Sequence, residues 1–128
     1  MEPLEHRSIA VQTYNRAQDL WYATRTAEED LEMLTAVFTS RHHWALVGGP
    51  TQKATSDWAV GRVLSVLGAG ELALRFALRA AEQVEADFPA WRKASALEGV
   101  ARAYAACGDI DRAREYVTRA KAELSHEL

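Results

Sequence analysis

The chain has 128 residues but only one cysteine, three prolines and no long uninterrupted apolar run. A single thiol, Cys107, excludes an intrachain disulfide, and its alanine and glycine neighbours suit a small apolar residue at a helix end. Crossing a bilayer takes about 18 or more consecutive apolar residues, and no segment approaches that, so no membrane partner is expected. The start, Met1-Glu2-Pro3-Leu4-Glu5, is acidic and lacks an apolar stretch. No signal peptide is therefore expected, and the cytoplasm is the default address. Basic blocks are also missing: the net charge is −3 with both signs interleaved, which argues against a nucleic-acid partner. No segment alternates apolar and polar residues, so no strand is expected.

What remains is ordinary globular composition, 48% hydrophobic and 26% charged, in a chain long enough to bury a core unaided. Apolar residues recur at spacings of three and four in six segments. The first helix runs from about Glu5 to Tyr22, with Ile9, Tyr14, Ala17, Leu20 and Trp21 on one side. Thr26 and Glu29 form a capping box that opens the second, which carries Leu31, Leu34, Val37 and Phe38. Gly48-Gly49-Pro50 is its stop signal. A third helix holds Trp58 to Leu67 and closes at Gly68; a fourth begins near Gly70. Pro89 suits the first turn of a fifth, which ends at Gly108, and a sixth follows from Ile110 to Leu124. The expectation is an all-α fold, one domain over residues 1–128, made of three stacked helix–turn–helix hairpins.

The last four helices repeat with an offset of 40. Gly61 maps to Ala101, Leu64 to Tyr104, Gly68 to Gly108, Ala73 to Ala113 and Ala80 to Ala120. Small residues at these points let two helices of a hairpin approach closely, and the glycines suit a left-handed turn. This pattern resembles the tetratricopeptide repeat, a helix–turn–helix unit of about 34 residues. The matching stretches are 54–87 and 94–127, with Phe88 to Lys93 read as an extra loop and 5–50 as a degenerate hairpin. Glu85 and Ser125 stand where the family has proline. The resemblance implies an α-solenoid fragment with a concave face lined by the first helix of each repeat, and a protein or peptide partner.

Carried over to this chain, that face includes Thr55, Trp58, Arg62 and Ser65, then Ser95, Glu98, Arg102 and Ala105. Arg62 and Arg102 are 40 residues apart and can hold a carboxylate by bidentate hydrogen bonds, with Trp58 as apolar anchor. The plainer alternative pairs both arginines with Asp57 and Glu98. The family's peptide clamp also uses lysine and asparagine, a set not reproduced here. A non-catalytic adaptor or regulatory module is thus expected, without cofactor or metal.

A rival reading gathers Tyr14, Asn15, His43, Trp44, Asp57 and Trp58 into a polar-aromatic pocket for a small molecule or reaction, between the first hairpin and the third helix. No nucleophile–base spacing supports catalysis there. His42 and His43 project about 100° apart on a helix and cannot share a metal, although His6 can approach from a neighbouring helix. His126 lies near the end of the chain. Gly68-Ala69-Gly70-Glu71-Leu72-Ala73 fits the dinucleotide fingerprint, but the second strand that fingerprint needs is missing. Finally, no seventh helix follows to cover the sixth, so a homodimer burying Tyr116 and Leu124 is expected.

Overall fold

The computed structural model describes residues 1–125, and 82% of them lie in six α-helices with no strand among them. These are α1 (Pro3–Trp21), α2 (Ala27–Val47), α3 (Pro50–Val66), α4 (Gly70–Glu82), α5 (Ala90–Ala106) and α6 (Ile110–Ser125). His126 and the end of the second repeat lie outside the described residues. Each helix packs on the next along the chain, and α3 touches α1 and α5 as well. The central position of α3 shows in its burial: Ala54, Ser56, Asp57, Ala59, Val60, Gly61, Val63 and Leu64 are all buried.

Local signals account for most boundaries. Proline at the first helical position fixes φ where no N–H partner is needed, so α1 starts at Pro3, earlier than Glu5. The capping box of α2 is present in full: Thr26 Oγ1 accepts from the Glu29 amide at 3.2 Å, and Glu29 accepts from the Thr26 amide at 3.0 Å. Gly48-Gly49-Pro50 ends α2 and also begins α3. Pro89 caps α5 in an extended conformation rather than entering its first turn.

Two expectations need correction. Residues 90–93, read as part of an inter-repeat loop, form the first turn of α5. With that turn included, α3 and α5 have the same bounds after a shift of 40, and so do the starts of α4 and α6. The second correction concerns α2, whose buried stripe is Met33, Ala36, Val37, Ser40 and Trp44. Leu31 is 58% exposed, because two residues along a helix turn a side chain roughly 200° away from Met33. Val37 belongs to the core, whereas Leu34 and Phe38 border it, Phe38 meeting Phe76 of α4 edge-on at 5.8 Å.

The two turns at Gly68 and Gly108 are the same turn. Their φ values are +80° and +81°. The amides of Ala69 and Asp109 donate to the carbonyls of Leu64 and Tyr104, both at 2.9 Å. Gly68 and Gly108 donate to Ser65 and Ala105, completing a Schellman motif in each. A Cβ added at either glycine meets nothing within 4 Å, so substitution there tests backbone strain alone. Gly68→Ala and Gly108→Ala should each cost about 1–2 kcal/mol and agree with one another. Chemical denaturation of both variants measures this; a clear inequality would show that the turns are not equivalent.

The hairpins close through small residues. A Cβ on Gly61 would stand 3.3 Å from the Ala77 nitrogen and 3.4 Å from the Ala73 carbonyl oxygen, so α3 and α4 lie nearly backbone to backbone there. In the last hairpin Ala101 is buried and the Tyr104 and Tyr116 rings lie 5.5 Å apart. Tyr116 is therefore partly covered within the chain, while Leu124 is 46% exposed.

Candidate functional site

Three helices that are not consecutive, α1, α3 and α5, border two adjoining clefts. The first, of about 200 Å³, is lined by Tyr14, Thr55, Trp58, Trp91, Arg92 and Ser95, with Val84 and Phe88 from the segment after α4. The second, of about 250 Å³, is lined by Val11, Tyr14, Asn15, Trp44, Thr51, Gln52, Thr55, Ser56 and Arg92. Tyr14, Thr55 and Arg92 belong to both and form the ridge between them.

Trp58 is held rigidly at this face. Its indole N–H donates to the Ser95 carbonyl at 3.1 Å, its ring meets Trp21 edge-on at 5.8 Å, and Gly99 leaves the space it occupies. Trp21 in turn meets Tyr14 edge-on at 6.0 Å. The Arg62 guanidinium lies over Trp21 and Tyr22, at 5.6 and 5.5 Å from the ring centres, a cation–π arrangement. Its Nε is buried without a hydrogen-bond partner. Burial, and next the charge of Arg102, hold the Arg62 guanidinium below its ordinary basicity. Burial and then Tyr22 raise the Tyr14 phenol above its ordinary value, while Arg92 and Arg62 pull it the other way. Tyr14 thus stands within electrostatic reach of both arginines.

Six arginines pair with carboxylates among the described residues: Arg16, Arg25, Arg41, Arg79, Arg102 and Arg112. Arg62 and Arg92 do not, although both are half-buried; Arg92 donates to the Thr55 hydroxyl at 2.9 Å and lies over the Trp91 ring at 4.6 Å. An arginine held partly out of water without an ion-pair partner is costly.

The sequence-derived sets are divided by the fold. Arg62 and Arg102 are close enough for their charges to interact, but Arg102 is exposed and already bound to Glu98 on its own helix. Thr55 and Trp58 face the clefts. Tyr14, Asn15 and Trp44 do meet, in the second cleft. Asp57 is not with them: it is 3% exposed and accepts from Arg41 at 2.6 Å, Arg79 at 3.1 Å and Gln83, tying α3 to α2 and α4. His43 is not with them either. It lines a shallow depression on α2 with Leu34, Phe38 and His42, and its Nδ1 lies 2.7 Å from that of His6. The helical period sends Asp57 and His43 to other faces than Trp58 and Trp44, their immediate neighbours. Arg92 escapes sequence reasoning because the repeat alignment reads its segment as loop, and Trp91, expected with the other tryptophans to be a packing residue, is 53% exposed. The signal that finds them is Pro89, which sets α5 starting one residue later.

His43 carries a pH prediction. Desolvation, then His6 from α1, then His42 on the same helix, lower its pKa below the ordinary 6.5. The folded chain then binds fewer protons than the unfolded chain as the pH falls through 6.5, so stability must decline. The melting temperature should drop between pH 7.5 and 5.5, and His43→Gln should flatten that slope. Parallel slopes in both proteins would contradict the assignment.

Among the described residues no group of three or more His, Cys, Asp or Glu side chains converges. No described helix is long and apolar enough to cross a membrane. Val63–Leu67, the stretch before the dinucleotide-like glycines, belongs to α3 and its cap rather than to a strand. Compared with protein-family models, curated proteins and solved structures, the chain matches none.

Proposed function

We propose that the chain is a stack of three tetratricopeptide-like hairpins whose concave face, formed by α1, α3 and α5, binds an acidic peptide segment of a partner protein. The 40-residue register, the paired Schellman turns and the contacts of α3 with α1 and α5 support the stacking. The observation that carries the ligand class is a pair of half-buried arginines that make no ion pair among the described residues: Arg92 on the ridge between the clefts, and Arg62 on α3, which feels the Glu98 charge without bonding to it. The clefts favour a peptide over a metabolite. Each is smaller than the roughly 300–1,000 Å³ of a typical small-molecule site, and a ridge divides them. Two side-chain-sized depressions suit alternate anchors of an extended segment. The rival reading, a small molecule or reaction in a polar-aromatic pocket, is left without His43 and Asp57, which lie on other faces.

The clamp of this reading is Arg62 with Arg92, in place of Arg62 with Arg102. Selection from a random-peptide display library, followed by calorimetry with the enriched peptides, tests it. Enriched sequences should carry an acidic residue or terminal carboxylate beside an apolar one. Arg62→Ala and Arg92→Ala should each weaken binding by about 1.5–3 kcal/mol, the range for charge-assisted hydrogen bonds. Arg102→Ala should do less, since Glu98 already occupies it. Failure to enrich acidic sequences, or equal affinity for all three variants, would remove the proposal.

A further inference from the structure

We propose that His6 and His43 form a two-histidine site for a divalent transition metal of the copper or nickel type, tying α1 to α2. The site shares no residue with the clefts and stands apart from the peptide reading.

The two residues are 37 positions apart in sequence, yet their Nδ1 atoms lie 2.7 Å from one another, with ring centres at 5.0 Å. At that distance one Nδ1–H donates and the other Nδ1 accepts, and an ion bound by both nitrogens would replace this hydrogen bond from a position beside the N···N line. On binding, the donor ring moves its proton from Nδ1 to Nε2 through solvent. Each neutral ring then offers a bare Nδ1, and no net proton is released.

Coordination preference and affinity together point to the metal. Metal–nitrogen bonds of about 2.05 Å set two neighbouring nitrogens about 2.9 Å apart at a right angle and about 3.4 Å apart at the tetrahedral angle. The observed 2.7 Å is a hydrogen-bond separation, and both rings must turn for their Nδ1 lone pairs to meet at one ion; of the two arrangements, the right angle of square or octahedral Cu²⁺ or Ni²⁺ asks the smaller change in separation. The general affinity order of divalent metals favours copper as well. His43 borders the solvent-open depression beside Leu34 and Phe38, which gives the ion a route and leaves its other positions to water. His42 also lines that depression, but its ring stands at 83° to that of His43, and consecutive helical residues diverge by about 100°. It is not a ligand.

The test uses the tag-free 128-residue chain, stripped with a chelator and titrated with CuCl₂, NiCl₂ or ZnCl₂ alone. One ion should bind per chain, and the melting temperature should rise in the order copper, nickel, zinc, because a metal that binds the folded chain stabilises it. The electron paramagnetic resonance spectrum of the copper form should show two nitrogen couplings. His6→Gln and His43→Gln should each lose the melting shift, and His42→Gln should keep it, with circular dichroism confirming the fold of every variant. If either ligand variant fails to fold, the other and the copper spectrum decide. No stoichiometric binding, a shift that survives in either ligand variant, or an equal loss in His42→Gln would overturn the proposal.

Discussion

Replacing Gly70 by valine is expected to lower the unfolding free energy by about 3 kcal/mol. A Cβ at this position would stand 2.8 Å from the carbonyl carbon and oxygen of Ala106 and from the Cys107 nitrogen. These are backbone atoms at the end of α5, and no side chain can swing aside to make room. The start of α4 must then lift from α5. Overpacking ordinarily costs about 1–3 kcal/mol, and a clash against backbone belongs at the upper end or beyond. Gly68, two residues earlier, isolates this cause, because its substitution meets open space and only an unfavourable φ. Urea denaturation of Gly70→Val beside Gly68→Ala measures the difference. Equal losses in the two variants would show that α4 and α5 do not approach as closely as described.

Asp57→Ala is expected to cost about 2–3 kcal/mol. The carboxylate is 3% exposed and joins three helices through Arg41, Arg79 and Gln83. Breaking a buried pair typically costs about 3–5 kcal/mol, because the remaining partner is stranded without counter-charge. Here the stranded partners are Arg41 and Arg79, whose side chains are 34% and 63% exposed, so water recovers part of the loss. Arg79→Ala should cost under about 1 kcal/mol, as exposed ion-pair partners usually do, since Arg41 and Gln83 still satisfy the carboxylate. Calorimetric melting of the two variants checks the asymmetry. A harmless Asp57→Ala would mean that the three-helix tie contributes nothing. Binding at the clefts separates this role from a functional one: Asp57 faces away from them, so a peptide that binds the intact chain should bind folded Asp57→Ala equally well.

The expected self-association through Tyr116 and Leu124 meets a chain that already uses part of that face. Tyr116 packs on Tyr104, and Arg119 lies over its ring at 4.5 Å. Leu124, with Val117 at 39% and Ile110 at 49% exposure, is what the described part of α6 leaves uncovered.

The sequence by itself determined the helices. Their period, caps and stops are local, and a capping box such as Thr26–Glu29 is complete within four residues. The turns at Gly68 and Gly108 were legible for the same reason, since the left-handed φ that glycine tolerates is a property of one residue. The offset of 40 was legible as well, because the same small residues recur where helices touch. Only the tertiary structure decided which face of each helix is inside and which side chains meet. Leu31 and Met33 are both apolar, and what buries Met33 is the placement of the neighbouring helices, which no local pattern specifies. The same holds for the candidate site. Trp58 and Arg62 sit one turn apart on α3, so their common face was readable; the meeting of Trp58 with Tyr14 of α1 and Arg92 of α5 spans dozens of residues. Asp57 and Arg41 found each other, and His43 found His6, because packing α1, α2 and α3 together fixes distances that helical spacing leaves open.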